Sequence, residues 1–258
     1  MKTDVLIIGA GPAGISAALY ARRGGLDVTV VTKGIETGGL AQAEKIENYY
    51  GFPEPISGRE LLRRGAEGAR RLGVHFVTGE LLGLSFNDTF DGFRGELAAE
   101  TIESPAVVLA AGAARRTLPI PGLREFEGKG VSYCAICDAF FYRGKTVAVV
   151  GAGDYALHEA QILLPQAKRV LLLTNGEALS AEIPEGIEVC TEKLHAVEGE
   201  DRVSRVVLSD GTEIPLQGLF LAIGTAGSSE LARKIGAMLS GADVKVDASQ
   251  ATNVPGLF

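Results

Sequence analysis

Short apolar runs closed by glycine recur along this chain and punctuate it. The first, Val5 to Ile8, is uninterrupted, which is the pattern of a strand covered on both faces. It ends in Gly9-Ala-Gly11-Pro-Ala-Gly14, after which apolar and small residues recur at helical spacing to about Arg23. A second apolar run follows in "LDVTVVTKG", so the pattern predicts strand, tight turn, helix, strand. The same plan returns with Val147 to Val150, then Gly151-Ala-Gly153-Asp-Tyr-Ala156, a helical stretch and the strand in "RVLLLTNG". Two such units in tandem predict an α/β protein with two Rossmann-like dinucleotide-binding domains.

The stretches between the units say how they are joined. "VVLAAGAARRTLPIPG" ends an apolar strand at Ala111-Gly112 and runs into Pro119 and Pro121, as a chain does on leaving one domain for another. "LFLAIG" repeats that punctuation at Ala222 to Gly224 and reads as the exit from the second unit. The tail "VKVDASQATNVPGLF" is expected to return to the first. The predicted organisation is a discontinuous first domain, 1–114 plus 241–258, with a second domain, 115–240, inserted into it.

Composition narrows the partners. The 258 residues are 46% hydrophobic and 22% charged, enough to build real cores. The 34 glycines fall in clusters after apolar runs, not in a low-complexity tract. A net charge of −7 with no basic block makes nucleic acid an unexpected partner. Asp4 and the glycines at 9, 11 and 14 interrupt what might otherwise pass for a signal peptide, and no apolar run is long enough to span a membrane.

Three cysteines cannot staple a chain of this length. Two of them stand in Ser132-Tyr-Cys-Ala-Ile-Cys-Asp138, which reads as cytosolic redox or metal chemistry. Zinc needs four ligands, and Cys190, His75, His158 and His195 supply no second closely spaced pair, so no metal is expected. Cys190 reads as a small core residue on a strand. In the first glycine cluster, Gly9 allows the turn, Gly11 lets the backbone approach a pyrophosphate, and Gly14 lets helix and strand pack closely. The helix start then offers free N–H groups to phosphate.

Taken in order, these pieces resemble the low-molecular-weight thioredoxin reductases over essentially the whole chain. The matching stretches are Gly9 to Gly14, "TGGLAQAEKIENYYGFP", "LAAGAARR", "YCAICDAFFYRGKTVAVVGAGD" and "VDASQATNVPGLF". The resemblance implies FAD on the first fold, held by Gly9, Gly11, Pro12, Ala13 and Gly14, with Thr32, Lys33, Gly38, Gly39, Leu40, Asn48, Ala111 and Gly112 around it. It implies that Cys134 and Cys137 cycle between disulfide and dithiol at a helix start, where the helix dipole favours a thiolate. Cys137 is then the sulfur nearer the flavin, Cys134 the one that attacks the substrate, and Asp138 a general acid–base, with a plain helix-cap role as the alternative. A rotating domain pair, a thioredoxin-like protein substrate, a homodimer and a cytoplasmic location are further implications.

The chain departs from that family at the second fold. NADPH-using members carry a His-Arg-Arg type cluster after its second strand, for the 2′-phosphate. Here Thr174, Asn175 and Gly176 bring no positive charge, Lys168 and Arg169 sit at the wrong end of the strand, and Glu177 comes late for a ribose. Tyr155 replaces a small residue and is expected to intrude on the dinucleotide groove; "IGTAGSS" replaces a proline turn. Gly151, Gly153, Asp154, Tyr155 and Ala156 thus read as a vestigial nucleotide site. These losses resemble the ferredoxin-dependent flavin thioredoxin reductases. An NAD(P)H-dependent enzyme with unusual contacts, and an FAD-holding redox sensor without turnover, remain the alternatives. Family members also continue beyond the point matching "NVPGLF" with an Ala-Ala-Gly-Asp stretch and a helix, so a truncated chain is expected.

Overall fold

The fold was obtained as a computed structural model that describes residues 1–112, 118–179, 182–223, 227–241 and 243–258. The expected crossing at Ala113–Arg116 and the turn at Gly224–Ala226 lie outside the described residues. The chain divides into two compact units, Met1–Ala114 with Gly227–Phe258, and Arg115–Ala226.

In the first unit, strand β1 (Val5–Ile8) leads into helix α1 (Pro12–Arg23) and strand β2 (Val28–Thr32). Helix α2 (Gly58–Arg71) and strand β3 (His75–Thr78) follow. Strands β4 (Gly83–Phe86), β5 (Phe93–Glu96) and β6 (Thr101–Ser104) form an antiparallel sheet, and β7 (Ala106–Leu109) returns to the parallel one, whose order is β3-β2-β1-β7. All of β1 is buried, as its unbroken apolar run requires: Val5 and Ile7 share a core with α1, and Leu6 lies against Gly95 of the antiparallel sheet. Proline at N1 opens α1, where its missing N–H costs nothing. Ser57 caps α2 by accepting the Glu60 N–H at 3.2 Å, and Leu62, Ala66 and Ala69 face inward at helical spacing. We expect Ser57→Ala to lower stability by about 1 kcal/mol, measured as a shift in denaturation midpoint with unchanged slope.

The second unit repeats the plan. Strand β8 (Val131–Ser132) runs into the single helical turn α3 (Ala135–Asp138). Strand β9 (Thr146–Val150), helix α4 (Asp154–Leu163), β10 (Arg169–Leu173) and β11 (Ile187–Cys190) follow. Strands β12 (Leu194–Gly199), β13 (Val203–Leu208) and β14 (Glu213–Pro215) form an antiparallel sheet before β15 (Gly218–Leu221). The parallel sheet has the order β11-β10-β9-β15-β8. One core joins alternate residues of its strands (Ala148, Val150, Leu171, Leu173, Leu219) to Leu194, Val197, Val206 and Leu208 of the antiparallel sheet. Helix α4 packs on β9 and β10.

The return to the first unit comes at Gly227, not at residue 241 as the sequence suggested. Helix α5 (Ser228–Lys234) packs on β4, and Leu231 and Ala232 are fully buried there. Its Ser228 hydroxyl accepts the Ala111 N–H at 3.2 Å. Asn253 of the tail then bonds Met238 and Gly236. These ties run across segments distant in sequence, so no local pattern marked the boundary. Leu257 adds a parallel bridge beside Val107, and Leu109 N–H donates to the Phe258 carbonyl at 2.7 Å. No helix among the described residues is long and apolar enough to cross a membrane.

Candidate active site

Parallel strands place their carboxyl ends along one edge, and ligands of open α/β sheets bind there. In the first unit that edge carries Gly9 to Gly14 after β1, Thr32 at the end of β2 with Lys33 after it, and Ala111 and Gly112 after β7. Gly9 has φ +110°, and a Cβ on it would overlap the Ala110 carbonyl, so only glycine lets the chain turn between β1 and α1. A Cβ on Gly14 would overlap the Gly9 carbonyl, which is the close helix–turn packing expected. Above Gly11 nothing lies within 4 Å of where a Cβ would stand, and no side chain caps the helix. Pro12 and Ala13 are exposed at that open end. This cradle fits a pyrophosphate.

The other expected contacts lie elsewhere in the unit. Thr32 shapes the β2 exit by bonding Gly34 through its hydroxyl, and Lys33 Nζ lies 3.1 Å from Glu80 Oε2. Gly38 precedes a one-turn helix, Gly39–Gln42, that carries Leu40 and packs on α2. Asn48 is exposed in the loop between the bridged Ile46 and Ile56.

The cysteines occupy the corresponding edge of the second unit, at the end of β8. Cys134 and Cys137 form a disulfide with Cα atoms 5.4 Å apart. Cys134 is the N-cap of α3, and its sulfur accepts the Cys137 N–H at 3.3 Å. Burial separates the two: Cys134 is 2% exposed, whereas Cys137 stands exposed. The resemblance gives the attack on the substrate to Cys134, whereas the sulfur at the surface here is Cys137. Asp138 is half-buried, and its Oδ2 accepts the Ser132 hydroxyl at 2.6 Å; that hydroxyl in turn accepts the Cys134 N–H at 3.1 Å. The Tyr142 phenol is pushed up, first by burial and then by the Asp138 charge, with Arg202 pulling the other way.

Two residues here escaped the sequence reading. Ser132 has no motif to announce it. Glu159, on α4, accepts the Ala135 N–H at 2.7 Å. A signal for it existed, since Tyr155, Ala156, Ala160 and Leu163 make the buried stripe of α4 and Glu159 is the one charge on it.

The second fingerprint is folded as such. Gly151 has φ +150°, a Cβ on it would overlap the Ala222 carbonyl, and Gly153 is the uncapped N-cap of α4. Asp154 is half-buried in the first turn and Ala156 is fully buried. Tyr155 is 2% exposed, so its ring is packed into the unit. At the β10 exit, Asn175 has φ +54° and its Oδ1 accepts the Leu194 N–H at 2.8 Å. Gly176 N–H donates to the Thr191 carbonyl at 2.9 Å. The turn's polar groups are thus tied to the β11–β12 connection. One cation does approach: a Cβ on Gly176 would stand 3.0 Å from Cε of the exposed Lys193. Cys190 ends β11, half-buried against the core, and His158 is half-buried on α4. No cluster placed to hold a metal occurs among the described residues.

The geometry is matched by known proteins. Residues 3–258 fit the family model described as pyridine nucleotide-disulphide oxidoreductase, a class of redox enzymes. A thioredoxin reductase of Aquifex aeolicus is 36% identical over 280 aligned positions, covering 99% of this chain and 83% of the relative. One of Bacillus subtilis is 32% identical over 99% of this chain and 84% of its own length. The solved structure of the atypical thioredoxin reductase TRi from Desulfovibrio vulgaris Hildenborough superposes with a TM-score of 0.92 at 39% identity, covering 99% of this chain and 87% of that one. A ferredoxin-flavin thioredoxin reductase of Clostridium acetobutylicum gives 0.70 at 27% identity, over 100% and 87%. The chain belongs to the low-molecular-weight thioredoxin reductase family, and it is an oxidoreductase.

Proposed function

We propose that this protein passes two electrons by way of FAD and the Cys134–Cys137 pair to the disulfide of a thioredoxin-like protein, and that its electron donor is a ferredoxin-like protein, not NADPH. The observation that carries the reaction is a disulfide at a helix start with one sulfur at the surface. Ile136, Phe140 and Phe141, 57%, 68% and 65% exposed, flank Cys137 with an apolar patch suited to a protein partner.

FAD, when bound, supplies the electron pair. The α1 start and Gly9 to Gly14 receive its pyrophosphate, and Thr32, Lys33, Gly38, Gly39, Leu40, Asn48, Ala111 and Gly112 make up the rest of that site. Two electrons break the Cys134–Cys137 bond and leave a thiol and a thiolate after uptake of one proton. The Cys137 thiolate attacks one sulfur of the partner disulfide and expels the other. Cys134 then attacks Cys137, which restores the S–S bond and frees the partner as a dithiol. Asp138 moves the proton, with Ser132 holding its carboxylate in place.

The donor reading rests on the β10 exit, where Asn175 and Gly176 are spent on the fold and no arginine is present. A second reading, an NAD(P)H-dependent enzyme, is favoured by Lys193 and by the intact Gly151 and Gly153. Anaerobic visible spectra of the FAD-loaded protein separate the two. Reduced ferredoxin should bleach the flavin; NADPH should do so at least about 100-fold more slowly, the cost of two missing charge-assisted hydrogen bonds to its 2′-phosphate, and NADH should also be slow, because no carboxylate ends β10 to hold its ribose. Fast bleaching by NADPH that Lys193→Ala slows would replace the first reading with the second.

A further inference from the structure

Glu159 is 1% exposed, yet it is ionisable. Burying a carboxylate is costly unless hydrogen bonds compensate it. Its Oε2 accepts the N–H of Ala135 at 2.7 Å, and its Oε1 lies 3.8 Å from His158 Nδ1. Ala135 follows Cys134 and is the first residue of α3. Its N–H is one of the free donors at a helix start that would otherwise stabilise a thiolate on the N-cap sulfur. A carboxylate held at that point does the opposite. It takes the donor and sets a negative charge beside the place where the buried sulfur would become negative.

We propose that Glu159 is a positioning residue that opposes thiolate formation at the buried Cys134, so that the charge of the reduced pair rests on Cys137 and the pair is a stronger reductant. A CxxC pair whose thiolate is well stabilised holds its electrons and acts as an oxidant; one whose thiolate is disfavoured gives them up. The inference rests on the reading of Cys134 and Cys137 as a redox-cycling pair. Among the described residues, the ionisable groups near it include Tyr133, which precedes Cys134. On α4, His158 adjoins Glu159, and Tyr155 shares its buried face one turn earlier. On α3, Asp138 is held by Ser132, and Tyr142 follows beyond it. Strand β9 carries no ionisable residue, and on β10 Arg169 is paired with Glu188 at 2.6 Å on the surface.

The test uses the full chain equilibrated with mixtures of reduced and cyclic-disulfide dithiothreitol, then quenched and alkylated. The reagent's two thiols give up two electrons and two protons and close into a ring, while the Cys134–Cys137 bond opens to two thiols. Cys190 contributes one constant alkylation. Glu159→Gln keeps an oxygen for the Ala135 N–H but removes the charge. It should shift the equilibrium toward the reduced pair about tenfold, about 30 mV for a two-electron couple. In the Cys137→Ser background it should also lower by about one unit the pH at which Cys134 is alkylated. A wild-type pair that no reagent ratio reduces would end the redox-pair reading itself. A wild-type pair that titrates while Glu159→Gln matches it in both readouts would overturn the role of Glu159 alone. Glu159→Leu separates charge from geometry: a shift in Leu but not in Gln would mean that only the hydrogen bond matters, and would also overturn the proposal.

Discussion

Cys134→Ser should accumulate a stable mixed disulfide with a thioredoxin-like partner, Cys137→Ser should accumulate it about 100-fold more slowly, and both should lose turnover. The reason is access. Thiol–disulfide exchange needs the attacking sulfur in line with the target bond, and Cys137 is at the surface while Cys134 is 2% exposed. With Cys134 replaced, Cys137 attacks and nothing resolves the product. With Cys137 replaced, the remaining thiol is enclosed, and α3 would have to unwind to present it. Mass spectrometry after mixing each reduced variant with the oxidised partner reads the result. Faster trapping by Cys137→Ser would restore Cys134 as the attacking sulfur.

Gly9→Ala and Gly11→Ala should part company by a comparably large margin. At position 9 a methyl group meets the Ala110 carbonyl, and φ +110° is strained for any L side chain. The cost is about 3 kcal/mol, or about 10 °C in Tm for a unit of this size, with loss of FAD. At position 11 the methyl has open space, so Tm of the apoprotein should hold while FAD retention on a desalting column falls. Full FAD retention by Gly11→Ala would mean that the pyrophosphate does not lie over the α1 start. The comparison separates a glycine the fold needs from one the ligand needs.

Both fingerprints were legible because their signals are local. An unbroken apolar run is a buried strand, and the glycines that follow meet steric demands within a few residues, so β1, α1, β9 and α4 stand where the pattern put them. The family resemblance of the redox triplet was legible for the same reason. What the chain by itself determined, then, is the two Rossmann-like folds, the pair of cysteines at a helix start and the absence of an arginine cluster after β10.

Tertiary structure decided the rest. Which sulfur is enclosed follows from packing around α3, not from the spacing of Cys134 and Cys137. Glu159 reaches Ala135 across 24 residues, and Lys193 reaches the turn at Gly176 from the connection before β12. The return of the chain at Gly227 depends on α5 finding β4. The physical reason is common to all of these: burial and electrostatics depend on which distant segments share a core, and that is chosen by the summed packing of the whole unit, which no short window of sequence contains.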